Sequence, residues 1–180
     1  MFEMSKGSRE GGQESNQLAK VHTGYSKVER EKQKISGTEK IKSPLRYPGG
    51  KSKALKEILP LIPEFSEYRE PMVGGGSVFF ALKNKYPDRR FWINDKNRDL
   101  YLFWKFCKEN PTELISEIRR LKDLFRRKGM GKRLYRYLID NRNMFTDLQR
   151  AARFFILNRI SFSGLVESGG YSKIAFDERF

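Results

Sequence analysis

Glu70-Pro71-Met72-Val73-Gly74-Gly75-Gly76-Ser77-Val78-Phe79-Phe80 is the stretch that decides the fold of this 180-residue chain. A strand-like run enters it, three glycines follow, and a helix-forming segment leaves it. With no Cβ atoms at the turn, main-chain N–H groups can approach a ligand closely. Glu70 stands just before the turn, and Asp95 follows a second apolar run, Phe91-Trp92-Ile93. In a doubly wound sheet that second acid ends strand two, where it can accept hydrogen bonds from ribose hydroxyls. The stretch therefore reads as a cradle for a nucleoside cofactor. Its pattern, Gly74-x-Gly76-x-x-Phe79, lacks the third glycine of the dinucleotide fingerprint, which argues against a pyrophosphate ligand.

Outward from the glycines, the pattern predicts strands over 68–72 and 90–94 and helices over 77–84 and 97–108. Tyr101, Phe103, Trp104 and Phe106 in the second helix are expected in the core. Upstream, Pro44-Leu45-Arg46-Tyr47-Pro48-Gly49-Gly50-Lys51 is rich in turn residues, and a helix over 52–59 is closed by Pro60 and Pro63. Gly50-Lys51-Ser52 has the look of a P-loop ending, but Leu45 stands where that motif requires glycine, which excludes an NTPase.

Downstream the composition changes. Residues 119–136 hold nine basic residues and one acid, Asp123. Leu114, Ile115, Ile118, Leu121, Leu124 and Phe125 keep a helical spacing, which turns the basic side chains to solvent. Arg119, Arg120, Arg126, Arg127, Lys128, Lys132 and Arg133 are thus candidates for DNA phosphate contacts. Gly129-Met130-Gly131 breaks the helix. Leu134, Leu138 and Ile139 support another, and Leu148, Ala151, Ala152, Phe155 and Arg159 mark a last one before a Gly169-Gly170 turn. The order of elements is that of an α/β protein with a helical insertion after strand two.

Bulk composition bounds the partners. Thirty-seven Lys and Arg against 22 Asp and Glu leave a net charge of +15, spread through the chain, which favours a polyanion such as nucleic acid. The single cysteine, Cys107, excludes an internal disulfide and reads as a core thiol in a reducing compartment. The single histidine, His22, lies in a polar tail, which argues against histidine catalysis and a His/Cys metal site. No apolar run approaches a membrane span and no signal peptide is visible, so the expected location is cytoplasmic. Residues 1–42, with nine basic and six acidic residues and only isolated apolar ones, are expected to form a disordered arm.

Four segments, in order, resemble the Dam-like class of S-adenosylmethionine-dependent DNA adenine-N6 methyltransferases. They are Pro44-Leu45-Arg46-Tyr47-Pro48-Gly49-Gly50-Lys51, then Glu70-Pro71-Met72-Val73-Gly74-Gly75-Gly76-Ser77, then Asn94-Asp95-Lys96-Asn97, and last Asn158-Arg159-x-Ser161-Phe162-x-Gly164-Leu165. The resemblance covers residues 44–180. It implies an S-adenosylmethionine cofactor and a Rossmann-like methyltransferase sheet, incomplete here, with a helical DNA-recognition insertion. It implies that Tyr47 packs near the cofactor, Lys51 meets its polar end, and Gly74 and Gly76 form the turn. It further implies that Asp95 takes the ribose and that Glu70 stands near the methionine amino group. The corresponding division is an arm over 1–42, a cofactor-binding part over 43–109, a DNA-recognition insertion over 110–162, and a return segment over 163–180.

The chain departs from that family at two places. Met72 stands where the family usually has phenylalanine. Among seven prolines there is no Pro-Pro pair, so the family's catalytic Asp-Pro-Pro-Tyr is missing. The expectation is the N-terminal part of a methyltransferase, with no catalytic residue of its own. Its partners would be double-stranded DNA and a C-terminal catalytic half that lies further on or on a separate chain. The alternatives are a non-catalytic remnant that binds DNA and the cofactor, and a generic nucleotide-binding α/β protein.

Overall fold

The computed structural model describes residues 40–127 and 129–180. All but the last three residues of the expected arm lie outside the described residues, as does Lys128. Strands β1 (Glu67–Glu70) and β2 (Arg90–Ile93) pair in parallel, Glu67 opposite Arg90 and Glu70 opposite Ile93. Helix α2 (Ser77–Lys85) makes the crossover that parallel pairing requires. β1 stops short of the expected residue 72. The chain turns at Pro71-Met72, and Val73 N takes the Asn94 oxygen, at 2.9 Å, that strict alternation along the ladder assigns to Met72 N. Met72 is left 69% exposed.

The expected helix over 52–59 is mostly 3-10. One α turn, α1 (Leu55–Ile58), lies between 3-10 turns at Lys51–Ala54 and Leu59–Leu61. Pro60 removes an N–H from the last turn, and none of the three segments buries a residue that would hold a longer helix.

Helix α3 (Arg98–Glu109) starts where Asn97 Oδ1 accepts from the N–H groups of Asp99 (3.0 Å) and Leu100 (3.3 Å). Leu100, Leu102, Phe103 and Trp104 are buried, whereas Tyr101, expected in the core, faces outward. Helix α4 (Pro111–Leu124) follows with proline in its first turn, where a missing N–H costs nothing. Its buried line is Leu114 and Leu121, with Ile118 packed against the core; Ile115 and Leu124, expected inward, are exposed. An i, i+4, i+7 stripe is wide enough for the contacts α4 makes, and residues beside it fall into solvent.

Helix α5 (Gly131–Asp140) buries Leu134 and Leu138. Helix α6 (Asp147–Ile160) opens on a capping box, Thr146 with Gln149. It packs against α3, α4 and α5 and against a short terminal helix, α7 (Lys173–Arg179). Contact on so many sides buries Ala151, Ala152, Phe154, Ile156, Leu157 and Ile160. Helix α7 is absent from the sequence reading, because only Ile174, Ala175 and Phe176 follow the Gly169-Gly170 turn as an apolar signal.

Helix α6 also carries a charge into the core. Arg153 is fully buried; its Nη1 donates to Asp99 Oδ2 at 3.0 Å, its Nη2 to Glu167 Oε1 at 2.7 Å and its Nε to Leu138 O at 2.5 Å. Arg150 Nε donates to the other Asp99 oxygen at 2.8 Å, and Arg142 Nη1 to Glu167 Oε2 at 3.1 Å. Five charged groups thereby tie the start of α3, the end of α5, the middle of α6 and the loop after it. No helix among the described residues is long and apolar enough to cross a membrane.

Candidate cofactor pocket and nucleic-acid interface

The strand ends and the glycine turn open onto a cavity of about 350 Å³. Tyr47, Lys51, Glu70, Gly74, Gly76 and Asp95, drawn from three separate segments, all line it. Gly74 and Gly76 hold φ of 50° and 72°, left-handed values that favour glycine. A Cβ on Gly74 would stand 2.9 Å from Tyr47 Cε1, and one on Gly75 would stand 2.7 Å from Tyr47 Cβ. The glycines thus let the tyrosine ring lie directly on the turn. Tyr47 itself sits in a tight turn closed by Gly50 N donating to Tyr47 O at 3.0 Å.

Asp95 braces the turn. Its Oδ2 accepts from Gly74 N at 2.9 Å and its Oδ1 from Asn97 N at 2.9 Å. A carboxylate has about four acceptor positions, so two remain for a ligand. Trp104 supports the same turn from below, its indole Nε1 donating to Gly74 O at 3.0 Å. Sequence reading assigned Trp104 to the core and missed this contact; a tryptophan needs a partner for its N–H when buried, which is the available signal. Lys51 is exposed at the rim, its Nζ 3.4 Å from Gly49 O.

Glu70 is the electrostatic anomaly of the cavity. Its Oε2 is buried and has no hydrogen-bond partner among the described residues. Burial pushes its carboxyl up to about 7, against hydrogen bonds from Tyr68 and the Phe79 main chain that pull it down. The folded chain therefore holds a proton more tightly than the unfolded one between the ordinary value of 4.5 and about 7. Stability from this group is full below 4.5, falls as pH rises through about 7, and is level above that. Thermal melts between pH 4.5 and 8 should show this decline, and Glu70→Gln should flatten it. An identical slope in the variant would remove Glu70 as its source.

Residues 47–178 match the family described as D12 class N6 adenine-specific DNA methyltransferase. The chain belongs to that family. Among relatives of this D12-family chain, the type II methyltransferase M.MjaIII of Methanocaldococcus jannaschii is 34% identical over 137 residues, 69% of this chain and 47% of that protein. A DNA adenine methylase of Vibrio cholerae is 31% identical over 149 residues, 75% of this chain and 50% of that protein. The DNA N-6-adenine-methyltransferase of Escherichia phage P1 is 34% identical over 125 residues, 69% of this chain and 16% of that protein. The D12-family chain thus spans about half the length, or less, of the relatives it matches.

The basic candidates of the D12-family chain lie on α4, on the loop after it and on the first turn of α5. Arg119, Arg120, Arg126, Arg127, Lys132 and Arg133 are all exposed. Arg120 is already held by Glu117, with Nη2 to Oε1 at 2.7 Å and Nε to Oε2 at 2.8 Å, so it is less available than the sequence suggested. The other five form no ion pair among the described residues. Cys107, expected deep in the core, is only part-buried and lines a second, more apolar cavity beside β2 and α3; burial pushes its thiol up to about 11.

Proposed function

We propose that this chain binds S-adenosylmethionine in the glycine-turn cavity, within a Rossmann-like sheet, and forms the N-terminal part of a site-specific DNA adenine-N6 methyltransferase. The observation that carries this reading is a buried Glu70 carboxylate oxygen, without a hydrogen-bond partner among the described residues, in a cavity that also holds Asp95, Tyr47, Lys51 and the three glycines of the turn. The cofactor has complementary groups: an ammonium, a ribose diol, an adenine ring and a carboxylate. Glu70 receives the ammonium group, and charge on its carboxylate strengthens that bond. Asp95 accepts from the ribose hydroxyls with the positions that Gly74 and Asn97 leave open. Tyr47 packs beside the bound molecule, and Lys51 meets its carboxylate. When bound, the cofactor supplies an electrophilic methyl group on a sulfonium, a chemistry that needs alignment of donor and acceptor above all.

In this reading residues 43–109 serve the cofactor and 110–162 serve DNA recognition, with 163–180 returning to the sheet. The exposed cations of α4 and α5 contact phosphates of double-stranded DNA. The target adenine leaves the stack before it reacts. The acceptor for its N6 hydrogens and the aromatic face for its ring are carried by an Asp-Pro-Pro-Tyr motif outside these 180 residues, in the same polypeptide or a separate one.

Calorimetry on the chain should find binding of S-adenosylmethionine and none of ATP or NAD. Replacing Arg126, Arg127 and Arg133 together by glutamine should weaken DNA binding alike for all sequences and lower the salt slope by about three. Methyl incorporation into DNA from tritiated cofactor should require added polypeptide that carries Asp-Pro-Pro-Tyr. Preference for ATP or NAD would overturn the cofactor reading, and an unchanged salt slope would overturn the DNA surface.

A further inference from the structure

Asn158 is fully buried near the end of α6, and among the described residues its side-chain amide bonds only to main chain. Oδ1 accepts from Arg46 N at 2.9 Å, while Nδ2 donates to Arg46 O at 2.7 Å and to Gly164 O at 3.1 Å. Both main-chain groups of one residue, 112 positions away, are thus gripped by a single rigid amide. The loop after α6 presses on the same peptide from the other side. Gly164 holds a φ of 75°, and a Cβ there would stand 2.3 Å from Arg46 O.

Arg46 directly precedes Tyr47, the aromatic wall of the cavity. Among the described residues no hydrogen bond holds the Tyr47 hydroxyl. The ring is located by its main chain and lies directly against Gly74 and Gly75. A shift of the Arg46 peptide therefore moves the ring directly.

We propose that Asn158 is a positioning residue for the cofactor cavity: it fixes the Arg46 peptide so that Tyr47 stands against the glycine turn. It also couples that wall to the loop over 162–170. The cavity's ligand rests on the reading given above, whereas the placement of Tyr47 does not depend on it. The exposed contact of Arg159 Nη1 with Pro44 O, at 3.4 Å, is longer and does not replace this grip.

The test uses Asn158→Ala, with Gly164→Ala as a second disturbance of the same junction, and Leu138→Ala as a control. Leu138 is fully buried in α5 and should lose stability without touching Arg46. The Gly74 α-proton that points in the Cβ direction faces the Tyr47 ring, so its NMR shift reports the ring's position. Tyr47→Leu defines the shift without a ring. Both junction variants should move this proton most of the way to the Tyr47→Leu value and weaken S-adenosylmethionine about tenfold. The control should melt earlier yet keep the shift and the affinity. An unchanged Gly74 shift in either folded junction variant would overturn the proposal. If the parent chain binds no cofactor, the ligand reading fails while the shift still decides the role of Asn158. Should Asn158→Ala not fold, Gly164→Ala carries the decision.

Discussion

Asp99→Ala should cost about 3–5 kcal/mol of stability, a large share of what a domain of this size possesses. Asp99 is 3% exposed and faces Arg153, which is fully buried, and Arg150, which is mostly so. Among the described residues, removing the carboxylate leaves the Arg153 guanidinium with only Glu167 and one carbonyl, in a buried place. A buried charge that loses its partner costs more than the intact pair contributes, because the desolvation term is no longer offset. Chemical denaturation of Asp99→Ala and of the double variant Asp99→Leu/Arg153→Met separates the two terms. The single variant should be the less stable of the two, since the double removes the fully buried guanidinium and leaves only Arg150, which reaches solvent, without its carboxylate. A loss below about 1 kcal/mol in Asp99→Ala would place the pair in effective contact with solvent.

Asp95→Ala should weaken S-adenosylmethionine by about 3 kcal/mol, more than a hundredfold in Kd. Two losses combine. The proposed ribose acceptor disappears, and so do the acceptors of Gly74 N and Asn97 N, both at 2.9 Å, which shape the turn itself. Gly74 is buried, so its orphaned N–H has no ready replacement in water. Asp95→Asn keeps one acceptor and should lose less. Calorimetry on the three proteins ranks them, and equal affinity in Asp95→Ala and the parent would remove Asp95 from the site.

The βαβ unit was readable because its signals are local. A glycine triplet flanked by a strand-like and a helix-like run states a turn without help from the rest of the chain, and parallel β1 and β2 followed. Strand limits were not as readable. β1 ends two residues early, at a turn over Pro71-Met72 after which Val73 N takes the oxygen of Asn94 that alternation assigns to Met72 N. Ile115 and Leu124 of α4, like Tyr101 of α3, fit an inward spacing yet lie exposed. Periodicity gives the direction of a face; the neighbouring helices decide how wide the covered stripe is.

The sum of charge is legible in the sequence; the placement of one arginine is not. The sequence establishes an excess of 15 positive charges and a run of cations over 119–136. It gives no sign that Arg153, one arginine among many, points into the core, because its partners Asp99 and Glu167 are 54 and 14 residues away. Such pairing depends on how α3 and α6 cross.

What the sequence by itself determined is the family, the glycine turn and the identity of the residues around it, since each is fixed by residue types at short spacing. The tertiary structure decided which of them meet. It brought Tyr47, Glu70 and Asp95 to one cavity, left a Glu70 oxygen buried without a partner among the described residues, and let Asn158 hold Arg46 across 112 residues. Desolvation and long-range hydrogen bonds arise only when distant segments pack, so no local pattern in the chain encodes them.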